Sequence, residues 1–424
     1  MRRRSSLAMV MCVLLPAVFL AVGCENTTKM READTFKKAE NYEDAIAKYK
    51  EFLSENPETS HKDEVMNSIA ECYYNWATVN KRVRKFQDAI DQLELLMKEY
   101  RGSPFYTDAM RNLPSAYLEL GRQLRAGGDF IGASKALNTV VERFRGNVNA
   151  TDAERELENI GILVFSAGNV VWGINADGSA PTKLRDPGFD ADLSRSGKSL
   201  AYIKPDSPND AVGKLELFDM KTGEEDELSR YPNAAYPVLT PSSRYVALRK
   251  GKNFQVINIE EHKPYTYESM KAVNRIGDWS VDNQQLVGFG HASGPAPYRV
   301  CVIESAFDSY FVLATMKKPI RAAAWSPEGR TILFVTADGL YVVSPEGGEP
   351  TPFIVSEEHD NIDIRAMDLS PDGKNMIVIA KRANDEKFGF FSINLDKTIN
   401  PIEVKLPEDV ELNPDRISWG LGHL

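Results

Sequence analysis

The sequence is poor in the residues that build disulfide frameworks and metal centres. It has 4 cysteines and 5 histidines in 424 residues. So few cysteines exclude a disulfide-stabilised scaffold, and the widely spread histidines leave little material for a metal site. A basic excess is also lacking, because the formal net charge is −10. Nucleic-acid binding requires a basic surface, so it is not expected here.

An apolar run lies at the N-terminus. It extends from Leu7 to Val22 and follows three arginines at positions 2 to 4. The run is short for a membrane span, and a positive start before a short apolar run is typical of a signal peptide. An ordinary cleavable signal and an uncleaved N-terminal anchor remain alternatives to the more specific interpretation that follows.

The end of this run favours a lipoprotein. Small residues stand directly before Cys24 in the sequence Leu-Ala-Val-Gly-Cys, which resembles the lipobox of bacterial lipoproteins. In that family the cysteine is lipidated and becomes the new N-terminus. The resemblance implies a signal peptide over residues 1–23 and a lipidated tether over residues 24–29, anchored by two or more acyl chains. Under the sorting rule of the family, Glu25 implies the periplasmic face of the outer membrane.

Residues 30–147 repeat with a helical pattern. Aromatic residues at positions 42, 86 and 130 are each followed three residues later by alanine, at positions 45, 89 and 133. Each alanine begins a run of apolar residues spaced three and four apart, which predicts an amphipathic helix. The aromatic-x-x-Ala pattern resembles tetratricopeptide (TPR) repeats, here three with a period of 44, and implies an all-α solenoid whose groove binds proteins. A generic helical bundle is the alternative.

Residues 160–424 repeat with a strand pattern. The sequence from Trp325 to Gly329 is followed by short apolar runs separated by tight turns, and the sequence from Leu369 to Gly373 repeats it. The serine or threonine of five such copies lies at positions 194, 240, 280, 326 and 370. Proline and glycine beside it favour the tight turn of a hairpin. The set resembles the WD40-like (PD40) repeat of TolB-type propellers, in which this motif joins the innermost strand of a blade to the second.

The two ends of this region predict the number of blades. The segment from Ile162 to Gly178 aligns with the segment from Ile332 to Gly348, but no inner strand precedes it. Residues 416–424 can supply that strand, which gives six blades and removes the exposed sheet edges. Seven blades would require a further repeat. Residues 148–159 are expected to be a linker.

The expected fold class is therefore multidomain α and β. An all-α TPR-like solenoid is followed by an all-β six-bladed propeller.

Short sequences that resemble catalytic motifs do not match them fully. The segment Gly197 to Ser199 resembles the end of a phosphate-binding loop, but the first glycine of such a loop is replaced by Asp192. The segment Gly290 to Gly294 resembles a nucleophile elbow with its serine displaced. We therefore expect no catalytic, cofactor or metal site, and we expect that the protein is not an enzyme.

One set of charged residues is a candidate partner-binding site. Three arginines each lie four residues before the aligned end of an inner strand: Arg275, Arg321 and Arg365. Three consecutive blades would place them around one mouth of the central channel. The planar guanidinium fork suits a carboxylate, which favours a protein segment as the ligand. Local pairing with neighbouring aspartates is the alternative.

These features predict a non-catalytic lipoprotein of the bacterial cell envelope that acts as a protein–protein interaction scaffold. Envelope proteins would bind the TPR groove and the propeller mouth, and only the lipid anchor would contact the membrane. Resemblance to TolB-type and periplasmic TPR proteins implies envelope assembly or a Tol-Pal-like complex. A propeller enzyme, either a lyase or a hydrolase, and a secretion-system subunit are the alternatives.

The lipid anchor is tested by replacing Cys24 with serine. We expect Cys24→Ser to abolish incorporation of radiolabelled fatty acid and to release the protein from membranes, because serine offers no thiol for acylation. Cys12→Ser, within the apolar run, should be labelled like the wild type. A Cys24→Ser protein that still takes up label would contradict the assignment.

Overall fold

The computed structural model describes residues 27–207, 210, 213–250, 253–267, 273–304, 309–407, 410, 412 and 415–424. The predicted signal peptide and Cys24 lie outside the described residues. The chain divides into two compact units, one ending at Leu113 and the other spanning Pro114–Leu424. In the part of the chain that the structure describes, no helix is long and apolar enough to cross a membrane.

The described residues up to Ile160 form seven α-helices. These are α1 Thr28–Lys38, α2 Tyr42–Glu55, α3 Lys62–Arg82, α4 Phe86–Glu99, α5 Tyr106–Ala126, α6 Phe130–Arg143 and α7 Val148–Ile160. Helices α2, α4 and α6 begin at the aromatic residues of the 44-residue repeat, which confirms the predicted helices.

Small residues let neighbouring helices approach closely. In the first unit, Ala45 of α2 and Ala89 of α4 are fully buried. In the second unit, a Cβ added to Gly121 of α5 would lie 2.6 Å from the side chain of Leu137 on α6. At the start of α6, Asp129 accepts a hydrogen bond of 2.8 Å from the Gly132 amide, which satisfies one of the free amides of the first turn.

The second unit continues with 23 strands among the described residues. The first blades contain β1 Ile162–Ala167, β2 Val170–Asn175, β3 Thr182–Arg185, β4 Phe189–Leu193, β5 Ser199–Pro205, β6 Gly213–Asp219, β7 Glu225–Leu239, β8 Tyr245–Lys250, β9 Asn253–Asn258 and β10 Lys263–Tyr267. The later blades contain β11 Arg275–Trp279, β12 Gln285–His291, β13 Tyr298–Glu304, β14 Tyr310–Met316, β15 Ala322–Trp325, β16 Ile332–Thr336, β17 Gly339–Val343, β18 Thr351–Val355, β19 Asp363–Leu369, β20 Asn375–Lys381, β21 Gly389–Asn394, β22 Ile399–Ile402 and β23 Ile417–Gly420.

These strands form six antiparallel blades. Blade 1 has the order β23-β1-β2-β3, and blades 4, 5 and 6 comprise β11–β14, β15–β18 and β19–β22. Blades 2 and 3 share the long strand β7, which pairs with β6 near its start and with β8 near its end. Closure of blade 1 by β23 is as predicted, with Ile162 opposite Gly420 and Phe165 opposite Ile417. The number of blades is six and not seven.

Apolar side chains from adjacent blades form the core between them. Trp279 of blade 4, for example, packs with Val238, Phe254 and Val256 of blade 3. Trp279, Trp325 and Trp419 are each only 2% exposed. The inner-strand tryptophans therefore hold neighbouring blades together.

The expected linker is a helix that belongs to this core. Helix α7 buries Ala150, Ala153, Leu157 and Ile160, and these residues share one hydrophobic cluster with the propeller residue Trp419. Their spacing of three and four residues is that of one helix face. The segment therefore packs against the propeller, so the prediction that residues 148–159 are only a linker is wrong.

Blade 6 also binds the end of helix α5. The Asn375 amide donates to the Arg125 carbonyl at 3.2 Å, the Ser392 hydroxyl to the Gly128 carbonyl at 2.9 Å, and the Asn394 amide to the Gly127 carbonyl at 3.0 Å. Carbonyl groups at a helix C-terminus have no partner within the helix. The propeller supplies those partners, so residues 125–128 are fixed on blade 6.

Packing of α7 is tested by Leu157→Ala. We expect this change to lower the free energy of unfolding of the propeller-containing unit by about 2–4 kcal/mol, because it leaves a cavity in a shared core. Glu154→Ala, on the exposed side of the same helix, is the control and should have little effect. Equal melting temperatures for the two variants would show that α7 does not contribute to this core.

Candidate functional site

The inner strands of the six blades surround a central channel. The channel holds about 830 Å³ of space between protein atoms, part of it open to solvent. We call the end at which the inner strands begin the mouth. The hairpins that contain the repeated serine motif lie at the opposite end, which is the end that contacts helix α5 through Asp372. Because β19 has seven residues, about 20 Å separate the two ends.

The three predicted arginines occupy the mouth, but they do not form one continuous arc in the channel. Arg275 is the first residue of β11, and Arg321 immediately precedes β15. Both line the channel. Arg365, in β19, lies over the ring of Phe388 at 5.4 Å instead, and its side chain is 42% exposed.

Arg321 and Arg365 share one carboxylate. Arg321 donates to Asp363 and to the Ile364 carbonyl, the latter at 2.8 Å. The Nε atom of Arg365 donates to the other oxygen of Asp363 at 2.9 Å. Local pairing, the alternative interpretation of the sequence, therefore describes these two arginines.

Arg275 has a different environment. Its guanidinium lies 4.8 Å from the centre of the Tyr236 ring, and it donates to the Tyr236 hydroxyl at 3.4 Å. Arg249 also lies over this ring, at 5.5 Å. Within the described part of the chain, Arg275 has no carboxylate at ion-pair distance. An aromatic ring thus positions a half-buried positive charge that has no carboxylate at ion-pair distance, although it lies close enough to Asp190 to lower the pKa of that carboxyl group.

A fourth arginine, Arg416, directly precedes the closing strand β23 and was not identified from the sequence. Arg416 donates to Asp192 at 2.9 Å, and both side chains are largely buried. Arg416 lies three residues before Trp419, whereas the spacing in blades 4 and 5 is four. A search at a fixed spacing of four residues therefore could not identify it.

Three partly buried aspartates inside the channel were also missed. They occupy equivalent positions in alternate blades: Asp192, Asp278 and Asp368. Each accepts a backbone hydrogen bond from the inner strand of the next blade, at 2.7 Å from Leu239, 3.3 Å from Trp325 and 2.7 Å from Trp419 respectively. The signal in the sequence is an aspartate two residues before the repeated serine in alternate copies.

Burial changes the protonation of these carboxyl groups. It raises the pKa of Asp278 to about 6, and Arg195, at 4.0 Å, opposes that change. Burial and, after it, the negative charge of Asp278 raise the pKa of Asp368 to about 8. Asp190 lies near the mouth. Burial raises the pKa of its carboxyl group, and the positive charge of Arg416 is the main effect that opposes this rise. Burial thus favours the protonated forms of Asp278 and Asp368.

The arrangement suits recognition of a negatively charged group at the mouth. Guanidinium groups fixed on rigid strands can bind a carboxylate in a defined orientation. Among the described residues, no group of three or more histidine, cysteine, aspartate or glutamate side chains could hold a metal ion.

Solved structures share the propeller fold. The crystal structure of TolB from Acinetobacter baumannii matches with a TM-score of 0.50 and 11% identity, covering 68% of this chain and 72% of that one. A putative TolB from Agrobacterium tumefaciens matches with a TM-score of 0.47 and 13% identity, covering 60% of this chain and 92% of that one. An oligogalacturonate lyase in complex with manganese matches with a TM-score of 0.39 and 12% identity, covering 50% and 63%.

The similarity to the Acinetobacter structure shows a TolB-like six-bladed propeller, and at this identity it shows the fold alone. No protein-family model matches the chain, and no curated protein matches it either.

The channel carboxylates are tested by Asp192→Ala. We expect a loss of about 3 kcal/mol in the free energy of unfolding, because the change leaves Arg416 without its buried partner and the Leu239 amide without its acceptor. Asp396→Ala, at an exposed position of blade 6, should change it by less than about 0.5 kcal/mol. Chemical denaturation of the three proteins measures the difference, and equal stabilities would contradict the role of Asp192.

Proposed function

We propose that this protein is a non-catalytic, lipid-anchored scaffold of the bacterial cell envelope whose propeller mouth binds a carboxylate-bearing segment of another envelope protein. The observation that carries the proposal is Arg275, a half-buried guanidinium at the mouth with no carboxylate at ion-pair distance in the described chain. The TolB-like fold and the lipobox-like sequence support the cellular setting.

The charges at the mouth favour an anionic ligand. Arg321 and Arg365 share the single charge of Asp363, and Arg416 is paired with Asp192. Arg275 adds a positive charge beside them, close to the carboxyl group of Asp190. Because the channel wall partly shields these groups from water, their attraction for a carboxylate is stronger than at an open surface.

Tyr236 reduces the entropy that Arg275 would lose on binding. Stacking on the ring restricts the guanidinium before any ligand arrives, and a pre-organised group gives up less freedom in the complex. A single carboxylate could then accept two parallel hydrogen bonds from the guanidinium fork.

The helices supply a second surface in this proposal. Their aromatic and alanine positions resemble TPR repeats, a family that binds proteins in its groove. One anchored chain would then connect two envelope proteins, which fits a role in envelope assembly or in a Tol-Pal-like complex.

The proposal is tested by Arg275→Ala. A photo-crosslinking amino acid at Phe388, beside the mouth, would first identify a partner in intact cells, and binding of that purified partner would then be measured at several salt concentrations. We expect Arg275→Ala to weaken binding about tenfold or more and to reduce its salt dependence, with little change in melting temperature. Arg321 and Arg365 are poorer targets, because removing both leaves Asp363 unpaired.

The matched control is Arg330→Ala. Arg330 is exposed in the serine-motif hairpin of blade 5, at the end of the channel opposite the mouth. It should leave partner binding unchanged. Unchanged affinity for Arg275→Ala, together with lower thermal stability, would assign Arg275 to support of Tyr236 and would refute the proposed binding role.

A further inference from the structure

The outermost strands of the six blades form the rim of the propeller. These are β3, β10, β14, β18 and β22, together with the first part of β7 in blade 2. Alternate residues of an edge strand point their amide and carbonyl groups away from the sheet, so a free edge can pair with another chain. A charged residue or a proline in the edge strand is the usual feature that prevents such pairing.

Five of the six outermost strands contain a charged residue or a proline. Strand β3 reads Thr-Lys-Leu-Arg, and the first part of β7 reads Glu-Asp-Glu-Leu-Ser. Strand β10 contains Lys263 and Pro264, β18 contains Pro352 and β22 contains Pro401. The sequences of these five strands therefore oppose the addition of a further strand.

Strand β14 of blade 4 is the exception. It reads Tyr-Phe-Val-Leu-Ala-Thr-Met, with neither a charged residue nor a proline. Its seven residues also make it longer than β3, β10, β18 and β22, which have four or five. Aromatic and β-branched residues fit a pleated sheet well, and a long, uncharged edge of this composition pairs readily with other strands. Blade 4 is thus the blade best suited to accept a fifth strand.

The edge of β14 is accessible in the part of the chain that the structure describes. Its only strand partner there is β13. Phe311 and Val312 are 39% and 38% exposed, and as neighbours in a strand they point to opposite faces of the blade. An added strand would therefore cover apolar surface on both faces while it pairs with the free backbone groups.

A bulge at Leu313 divides this edge into two halves. The pairing with β13 passes from Val312 directly to Ala314, and a Cβ added to Gly347 of blade 5 would lie 3.5 Å from the Leu313 carbonyl oxygen. A register shift also occurs where β3 and β18 pair with their neighbours, and those two strands carry a charge or a proline as well. The bulge is therefore a feature of the blades, and three residues on either side of it remain available for pairing.

Positive charges lie at one end of this edge. Because the strands of a blade alternate in direction, β14 runs towards the mouth, and Lys317 and Lys318 follow it directly. Arg299 lies opposite Thr315 on β13. Lys318 is paired with Asp338, but Lys317 and Arg299 have no carboxylate at ion-pair distance among the described residues, and the Nε atom of Arg299 is buried without a hydrogen-bond partner. This end of the edge therefore favours a carboxylate in an added segment.

A second copy of the chain fits this edge less well than an extended segment does. Two β14 strands could meet only along seven residues, about 24 Å, where the rims of two propellers curve away from each other. A strip of that length and about 10 Å in width buries about 500 Å² in total, which is well below the roughly 1,200–2,000 Å² of a stable interface. An extended segment has no rim of its own and can contact both faces of β14.

We propose that the edge of β14 binds an extended segment of another protein, which pairs with it as a fifth, antiparallel strand of blade 4. The segment begins with an aspartate or a glutamate that lies against Lys317 and Arg299, and about six uncharged residues of high strand propensity follow. Because β14 is the outermost strand and the channel is lined by the innermost ones, this site does not depend on the binding proposed at the mouth.

The test selects ligands from a phage-displayed library of random twelve-residue peptides. The target is the chain from residue 25 to residue 424 without lipid, and binding of each synthesised peptide is measured by fluorescence anisotropy. We expect an acidic residue followed by β-branched or aromatic residues without proline. N-methylation of every second backbone amide, in one of its two possible phases, should abolish binding, because it removes the donors that face β14 and leaves the side chains unchanged.

Val312→Lys gives β14 the kind of charge that Lys183 provides in β3. We expect it to weaken peptide binding about fivefold or more, because pairing would cover the ammonium group. Thr182→Lys, at an exposed position of β3, is the matched control and should leave binding unchanged. Lys317→Ala should weaken binding about threefold and reduce its salt dependence. Arg275→Ala, at the mouth, should bind these peptides like the wild type.

Hydrogen exchange of the wild type locates the bound peptide and decides the question if Val312→Lys does not fold. The peptide should slow exchange in residues 310–316 and leave β18 of blade 5 unchanged. A library that yields no binding peptide, or only peptides that bind without protecting β14, would overturn the proposal. A concentration-dependent dimer that Val312→Lys abolishes would overturn it as well, because the edge would then belong to a second copy of the chain.

Discussion

The free edges of the inner strands impose the main physical constraint on this propeller. Five of the six inner strands lie at an edge of their sheet, so the backbone groups on the channel side have no partner within the blade. Backbone groups that are buried without a partner are strongly destabilising. Side chains from neighbouring blades supply the partners. Besides the three aspartates, the Ser418 hydroxyl accepts from the Leu193 amide at 2.9 Å, and the Trp279 indole donates to the Val238 carbonyl at 3.0 Å.

The use of side chains as hydrogen-bond partners for the inner strands also determines the chemistry of the channel. Aspartates that accept backbone amides place acidic groups in its interior, while arginines at the starts of the strands make its mouth basic. Asp278 lies three residues after Arg275, which separates the two zones by about 10 Å along the strand. A carboxylate that bound at the mouth, as proposed, would be attracted there and disfavoured further inside. The structural role of the aspartates therefore limits how far an acidic ligand can enter.

The sequence predicted the repeating architecture well and the individual contacts less well. Helix starts and the blade number follow from local rules, because the same turn and the same buried face recur at nearly constant spacing. Arg416 was missed because it lies three residues, not four, before its tryptophan. The aspartates were missed because an aspartate in a strand looks like any exposed polar residue. The packing of helix α7 was missed because its apolar face is made partly of alanines, Ala150 and Ala153, between polar or charged neighbours. Pairing of Arg321 with Asp363 depends on the distance between two blades, which no local pattern reveals.

Closure by β23 also makes folding depend on the last part of the propeller to be synthesised. Ile162 pairs with Gly420, so blade 1 joins residues 258 positions apart (420 minus 162). A growing chain exposes the edge of β1 until that late segment leaves the ribosome, and contacts so distant in sequence form slowly because the intervening loop must first be ordered. Five blades can pair their strands from local hairpins in the meantime. The first blade of the unit therefore stays incomplete until β23 is available. Helix α7 immediately precedes β1, so it is the neighbouring element that can cover the exposed apolar surface of that blade in the meantime.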